Sequence, residues 1–188
     1  MTGAAGISVG YPLVLMRERD EAQRLKRALV GLTLPSVSLT AIDGDPIDLA
    51  GIAFGWVVYY FYPGTGTPPA HGADGPAEDI AEHRAYRDRQ SEFEARRMRT
   101  VGVSSQAVNA QLRTALANDI GRHSLLSDPE LLLADELGLP TFDLDEKRWY
   151  RRLTLLTLDR RIEQVFFPVS SGARNPSQVL AWLQLREP

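Results

Sequence analysis

The chain contains no cysteine, which removes disulfides, thiolate metal ligands and any redox-active thiol from the chemistry open to it. Lysine is scarce as well. Of 21 basic residues only Lys26 and Lys147 are lysine and the rest are arginine, a usage that reads as genomic composition and not as chemistry. Long hydrophobic runs are missing: even WVVYYFY stops at Pro63 and Gly64, far short of the roughly 18 apolar residues of a membrane-spanning helix. An excess of positive charge is missing too. The formal net charge of -3 gives no reason to expect nucleic acid or an anionic membrane as partner. The apolar patch near the start has no basic region before it, so no secretory signal is expected and cytoplasm is the expected location.

What is present is an ordinary globular composition, with 44% hydrophobic and 24% charged residues in 188, enough to bury one core without staples. Arg17 to Val30 carries Ala22, Leu25, Ala28 and Leu29 at helical spacing and reads as an N-terminal helix packed on that core. Leu34 to Ile42, followed by the turn signal at Asp43 and Gly44, reads as an extended arm or short hairpin. Trp56 to Tyr62 is a strand buried on both faces. The Gly- and Pro-rich segment from Pro63 to Asp79 is loop, with Asp79 placed to cap the helix that follows, from Ala81 to Met98.

Thr100 to Ser105 reads as a second buried strand and Ala107 to Ile120 as the helix after it, so the alternation predicts βαβ units and a largely parallel sheet. Ser127, Asp128 and Pro129 are expected to open a further helix that Gly138 stops. Arg152 to Leu158 and Ile162 to Phe167 form an antiparallel hairpin, and Asn175 or Pro176 opens the closing helix.

The segments LPSVSLTAIDGDPIDLAG, VVYYFYPGTG, AYRDRQSEF, VGVSSQ, LLSDPE, LGLPTF, RRLTLLTLDRRIEQVFFPV and NPSQVLAWL, collinear from about Leu32 to Leu185, resemble the peroxiredoxins of the AhpC/TSA type. The resemblance implies an α/β, thioredoxin-like sandwich with a central mixed sheet and helices on both faces. It places residues 1–31 as an N-terminal extension and 32–188 as the peroxiredoxin-like domain, and implies a homodimer. It matches Arg152 to the arginine that, with helix N–H groups, lowers the pKa of the family's peroxidatic cysteine. That cysteine is what this sequence lacks. Counted forward from Pro63, the family spacing PxxxTxxC falls on Pro63, Thr67 and Ala70; counted back from Tyr86, Arg87 and Asp88, Asp79 takes the cysteine's place. An alanine at position 70 introduced by engineering is a third reading.

The chemistry left to such a site rests on Asp79, His83 and Arg152 as catalytic candidates, with Thr65, Thr67, Trp149 and Tyr150 as substrate-binding candidates. The helix dipole and Arg152 are expected to lower the Asp79 pKa, and a carboxylate four residues before His83 to raise the imidazole toward neutrality. His71, Asp74, Glu78, Asp79, Glu82 and His83 match no strong metal motif, and no cofactor is expected. Two functional readings follow. One is a repurposed non-redox enzyme acting on a small organic molecule by proton transfer, cyclisation, elimination or isomerisation, in bacterial specialised metabolism. The other is a non-catalytic binding or interaction module.

Overall fold

A computed structural model describes residues 10–64, 75–120 and 125–186; Thr65, Thr67, Ala70, His71, Asp74 and His123 lie outside them. The elements run α1 (Gly10–Leu29), β1 (Ser38–Ala41), β2 (Pro46–Asp48), α2 (Leu49–Ile52), β3 (Trp56–Phe61), α3 (Gly75–Asp88), α4 (Gln90–Ala95), β4 (Arg99–Ser104), α5 (Val108–Ala117), β5 (Leu125–Ser127), α6 (Leu132–Leu137), β6 (Thr141–Leu144), β7 (Lys147–Tyr150), β8 (Leu153–Leu158), β9 (Arg161–Phe166) and α7 (Asn175–Gln184), with a short 3-10 helix at Gly172–Arg174.

The seven-stranded sheet has the order β2-β1-β5-β4-β3-β8-β9. Strands β3, β4 and β5 are parallel, whereas β8 joins β3 antiparallel and β9 returns on β8. The sheet is therefore mixed, as expected. Strand side chains alternate between faces, and that alternation sorts the two cores. Val57, Tyr59 and Phe61 join Leu29 of α1, Leu49 of α2 and Leu133 of α6. Val58, Tyr60 and Tyr62 join Tyr86 of α3, Phe93 of α4, Ala115 of α5 and Val179 of α7. The β8–β9 hairpin turns on Asp159 and Arg160, both at positive φ, the backbone that a tight two-residue connection between right-twisted strands requires.

Several elements differ from the sequence reading; helix α1, for one, begins at Gly10 and not at Arg17. The single helix expected from Ala81 to Met98 is two helices, interrupted at Arg89, and the first begins earlier, at Gly75. The helix expected at Ser127 begins at Leu132, because Ser127 is the last residue of β5, a strand too short at three residues to leave a periodic signal. A second, two-stranded sheet of β6 and β7 is absent from the sequence reading; its strands are short and mostly half-buried or exposed.

Asp128, although not the first residue of α6, does the capping. Its carboxylate accepts the Leu132 N–H (2.8 Å), the Leu133 N–H (3.1 Å) and the Tyr150 hydroxyl (2.5 Å). Removing an acceptor buried under three donors strands each of them. Asp128→Ala is expected to cost about 2–3 kcal/mol in urea unfolding, and Asp128→Asn clearly less, since an amide oxygen retains part of the set.

Candidate functional site

Tyr60 and Tyr62, alternate residues at the end of β3, point to the face that α3 covers. Gly102 on the neighbouring strand makes room for Tyr60: a Cβ there would stand 2.7 Å from the Tyr60 ring. Helix α3 turns Asp79, Glu82, His83 and Tyr86 inward, all buried. Their spacing of three, four and seven is that of one helix face, yet the residues on it are mostly polar. Tyr86 stacks on Tyr60 at 4.1 Å between centroids, and His83 meets Tyr62 edge-on at 4.4 Å. The Tyr60 hydroxyl lies 3.1 Å from His83 Nδ1. Thr154 donates to Asn175 Oδ1 at 2.7 Å, and the Tyr86 hydroxyl donates to the same oxygen.

Arg152, just before β8, reaches the same face. Its Nη2 donates to Asp79 Oδ1 and its Nη1 to Glu82 Oε2. The second Asp79 oxygen accepts the Gly64 N–H at 2.9 Å, so the end of β3, helix α3 and the approach to β8 meet on one carboxylate. Behind Glu82 the 3-10 helix presses close enough that a Cβ on Gly172 would stand 2.7 Å from Glu82 Cβ. Glu78 fixes that segment by accepting from Ser171 Oγ at 3.1 Å and from the Ala173 N–H at 3.3 Å. Relative exposure is 1% for Asp79, 0% for Glu82, 1% for His83 and 9% for Arg152. One guanidinium thus faces two carboxylates out of water, an uncompensated negative charge that burial makes costly.

The titration behaviour follows from that imbalance. Burial raises the Glu82 pKa from 4.5 to about 7, with Arg152 opposing the rise and Asp79 adding to it. Burial raises Asp79 too, against the pull of Arg152 and of the Gly64 N–H. Burial works against the charge on Arg152, but Glu82 and Asp79 outweigh it and lift the guanidinium pKa. His83 is pushed down to about 3, by burial first and by Arg152 second, so its imidazole is neutral across the physiological range.

These observations correct several expectations. Asp79 does not cap α3: it sits in the second turn, and its pKa is raised where a lowered one was expected, because desolvation outweighs the guanidinium. His83 is depressed where a rise toward neutrality was expected, because burial, and after it the charge of Arg152, disfavours the imidazolium. Arg152 is not an open anion site, since both its Nη atoms are engaged. Of the binding candidates, Thr65 and Thr67 lie outside the described residues. Trp149 pairs with Phe142 in the small sheet, and its Nε1 donates to Leu144 O at 3.4 Å. Tyr150 belongs to the opposite core against Phe61. The structure therefore brings Asp79, His83 and Arg152 together and leaves Trp149 and Tyr150 apart from them. Glu82, which the sequence offers only within the His71 to His83 cluster, is a member of the site: its place three residues after Asp79 puts both carboxylates on one helix face. Among the described residues no group of three or more His, Asp or Glu side chains is arranged to hold a metal ion.

Comparison with known proteins gives the chain its relatives. The model of the AhpC/TSA family matches residues 30–164. Peroxidoxin BcpB from Mycobacterium tuberculosis is 26% identical with a TM-score of 0.71, the match covering 85% of this chain and 99% of that one. A cysteine-to-serine mutant of PrxQ from Xylella fastidiosa is 20% identical, TM-score 0.69, over 84% and 96% of the two chains. The bacterioferritin comigratory protein of Xanthomonas campestris is 23% identical, TM-score 0.67, over 82% and 97%. The last two likenesses speak for the fold alone. No curated protein matches the chain.

Proposed function

The chain belongs to the AhpC/TSA family, and from that membership, together with the absence of any cysteine, we propose that it is a redox-silent member serving as a non-catalytic binding or interaction module. The observation that carries this reading is the occupation of Arg152: the cation that would serve a thiolate and its peroxide is bridged by Asp79 and Glu82. Asp79, taking the cysteine's place in the register counted back from Tyr86, is an anion that cannot accept an oxygen atom, and Glu82 closes the other side of the guanidinium. In this register the position of the family's threonine is Pro76, which has no hydroxyl to orient a peroxide. A homodimer in the cytoplasm is the setting we propose for it; no helix among the described residues is long and apolar enough to cross a membrane.

The test is whether Arg152 is open. With acetate added at millimolar concentration, the Arg152 Nε–Hε resonance is expected not to move, and hydroperoxide consumption with a dithiol reductant is expected to equal a protein-free blank. A saturable acetate shift on Arg152 would instead reveal an anion site and defeat the closed-site reading. The choice of register has its own check: Asp79→Cys is expected to gain a hydroperoxide-reactive thiol, seen as sulfenic acid by mass, whereas Ala70→Cys is not.

One observation favours the second reading, a non-redox enzyme acting on a small organic molecule. Glu82 titrates near 7, and its Oε1, like His83 Nε2, is buried without a hydrogen-bond partner, which is how a proton-transfer site presents itself. There Glu82 would move the proton, with Asp79 and His83 beside it and Arg152 holding both carboxylates. Glu82→Gln abolishing turnover of a candidate substrate while folding is intact is the result that would favour it.

A further inference from the structure

At the opposite end of the parallel strands from Arg152, α4, the β1–β2 hairpin, α2 and the start of β4 enclose a cavity of about 360 Å3. Ligand pockets begin at about that size. Its floor is apolar and belongs to the cores: Phe93 is 1% exposed, Met98 4%, Val101 7% and Leu126 4%. Its mouth is charged, with Asp43 on the hairpin side, Glu94 on α4 and Arg99 at the start of β4.

Two carboxylates against one guanidinium leave the mouth with a net negative charge. Arg99 Nη2 donates to Phe54 O at 2.7 Å, which holds the one cation at the Phe54 side of the mouth. Asp43 Oδ1 accepts from the Asp45 N–H at 3.2 Å and Glu94 Oε1 from Gln90 Nε2 at 2.8 Å, and among the described residues no donor is paired with Asp43 Oδ2 or Glu94 Oε2. An apolar floor under two carboxylates with acceptor capacity to spare is complementary to a hydrophobic body that ends in a hydrogen-bond-donating cation. We infer that this cavity binds a small amphipathic ammonium compound, its aromatic or branched alkyl body against Phe93, Met98 and Val101 and its cationic head between Asp43 and Glu94. The site is separate from the Asp79, Glu82 and Arg152 cluster and does not depend on how that cluster functions.

Benzylammonium and phenylacetate, similar in size and opposite in charge, serve as probes in an amide NMR titration of the whole chain. Benzylammonium is expected to shift Glu94, Thr100, Val101 and Leu126 saturably, with a dissociation constant on the order of 1 mM for so small a ligand, while Gly64 and Thr154 at the other end of the sheet stay still. Phenylacetate should bind at least about tenfold more weakly, and the exposed double substitution Asp43→Asn, Glu94→Gln should remove most of that preference without changing the fold. Shifts that do not saturate, shifts centred elsewhere, or equal binding of the two probes would overturn the assignment.

Discussion

Arg152→Leu is expected to cost about 3–5 kcal/mol of folding stability, the largest effect of any single substitution in the site. The reason lies less in what the guanidinium contributes than in what its removal leaves behind. Asp79 and Glu82 are shut away under the 3-10 helix, and no other cation is positioned between them in the described structure. Without Arg152 both must take up a proton to remain inside, so the loss should be larger at pH 8 than at pH 5. A triple variant separates this account from simple loss of packing. Arg152→Leu with Glu82→Leu removes the charges, and Asp79→Asn keeps an oxygen for the Gly64 N–H. It should recover most of the loss, because a buried ion cluster replaced by groups of similar volume is commonly neutral or stabilising. Urea unfolding at the two pH values measures all of these. A single-variant loss below about 1 kcal/mol, the range of an exposed ion pair, would mean that the cluster is open to water.

Much of this arrangement could be read from the sequence, for identifiable reasons. Trp56 to Tyr62 is apolar without interruption, which only a strand covered on both faces tolerates, and β3 is where it was expected. The β8–β9 hairpin and α7 carried equally plain signals in their runs and their Asn175-Pro176 start. What was lost had little period to offer. Strand β5 is three residues long, and β6 and β7 are paired mostly outside the core. The break at Arg89 has neither Gly nor Pro to announce it. Within the site, Asp79 and Arg152 could be matched from the family register, but Glu82 could not, because a glutamate in a charged helix reads as solvated. Only in the folded chain is the inward stripe of α3 Asp79, Glu82, His83 and Tyr86. The pKa errors share that origin: neighbours can be counted along the chain, whereas the desolvation that governs Asp79 and His83 cannot.

The same burial makes the pH dependence of the site a difference between two opposed contributions. Glu82 is raised from 4.5 to about 7 in the folded chain. Its stabilising contribution is therefore complete below pH 4.5 and is lost as pH rises to about 7, and the rise of Asp79 acts in the same sense. His83 is lowered from 6.5 to about 3, so its contribution is complete above pH 6.5 and is lost as pH falls toward 3. Each slope is about 1.4 kcal/mol per pH unit, so between about pH 4.5 and 6.5 the Glu82 and His83 arms offset each other and the fall that Asp79 adds is what remains. Over that window the wild-type site should fall only by what Asp79 contributes, and single substitutions should expose the two arms with opposite sign. Glu82→Gln removes the falling arm: relative to wild type it should gain roughly 3 kcal/mol between pH 4.5 and pH 6.5. His83→Gln, which keeps a hydrogen-bonding group for Tyr60, should lose a similar amount over the same interval. Stability measured as the difference from wild type at each pH removes the shared titration of surface carboxylates. Variants that track wild type in parallel from pH 4 to 8 would show that neither group is held away from its ordinary titration, and with that the closed, charge-unbalanced site would lose its basis.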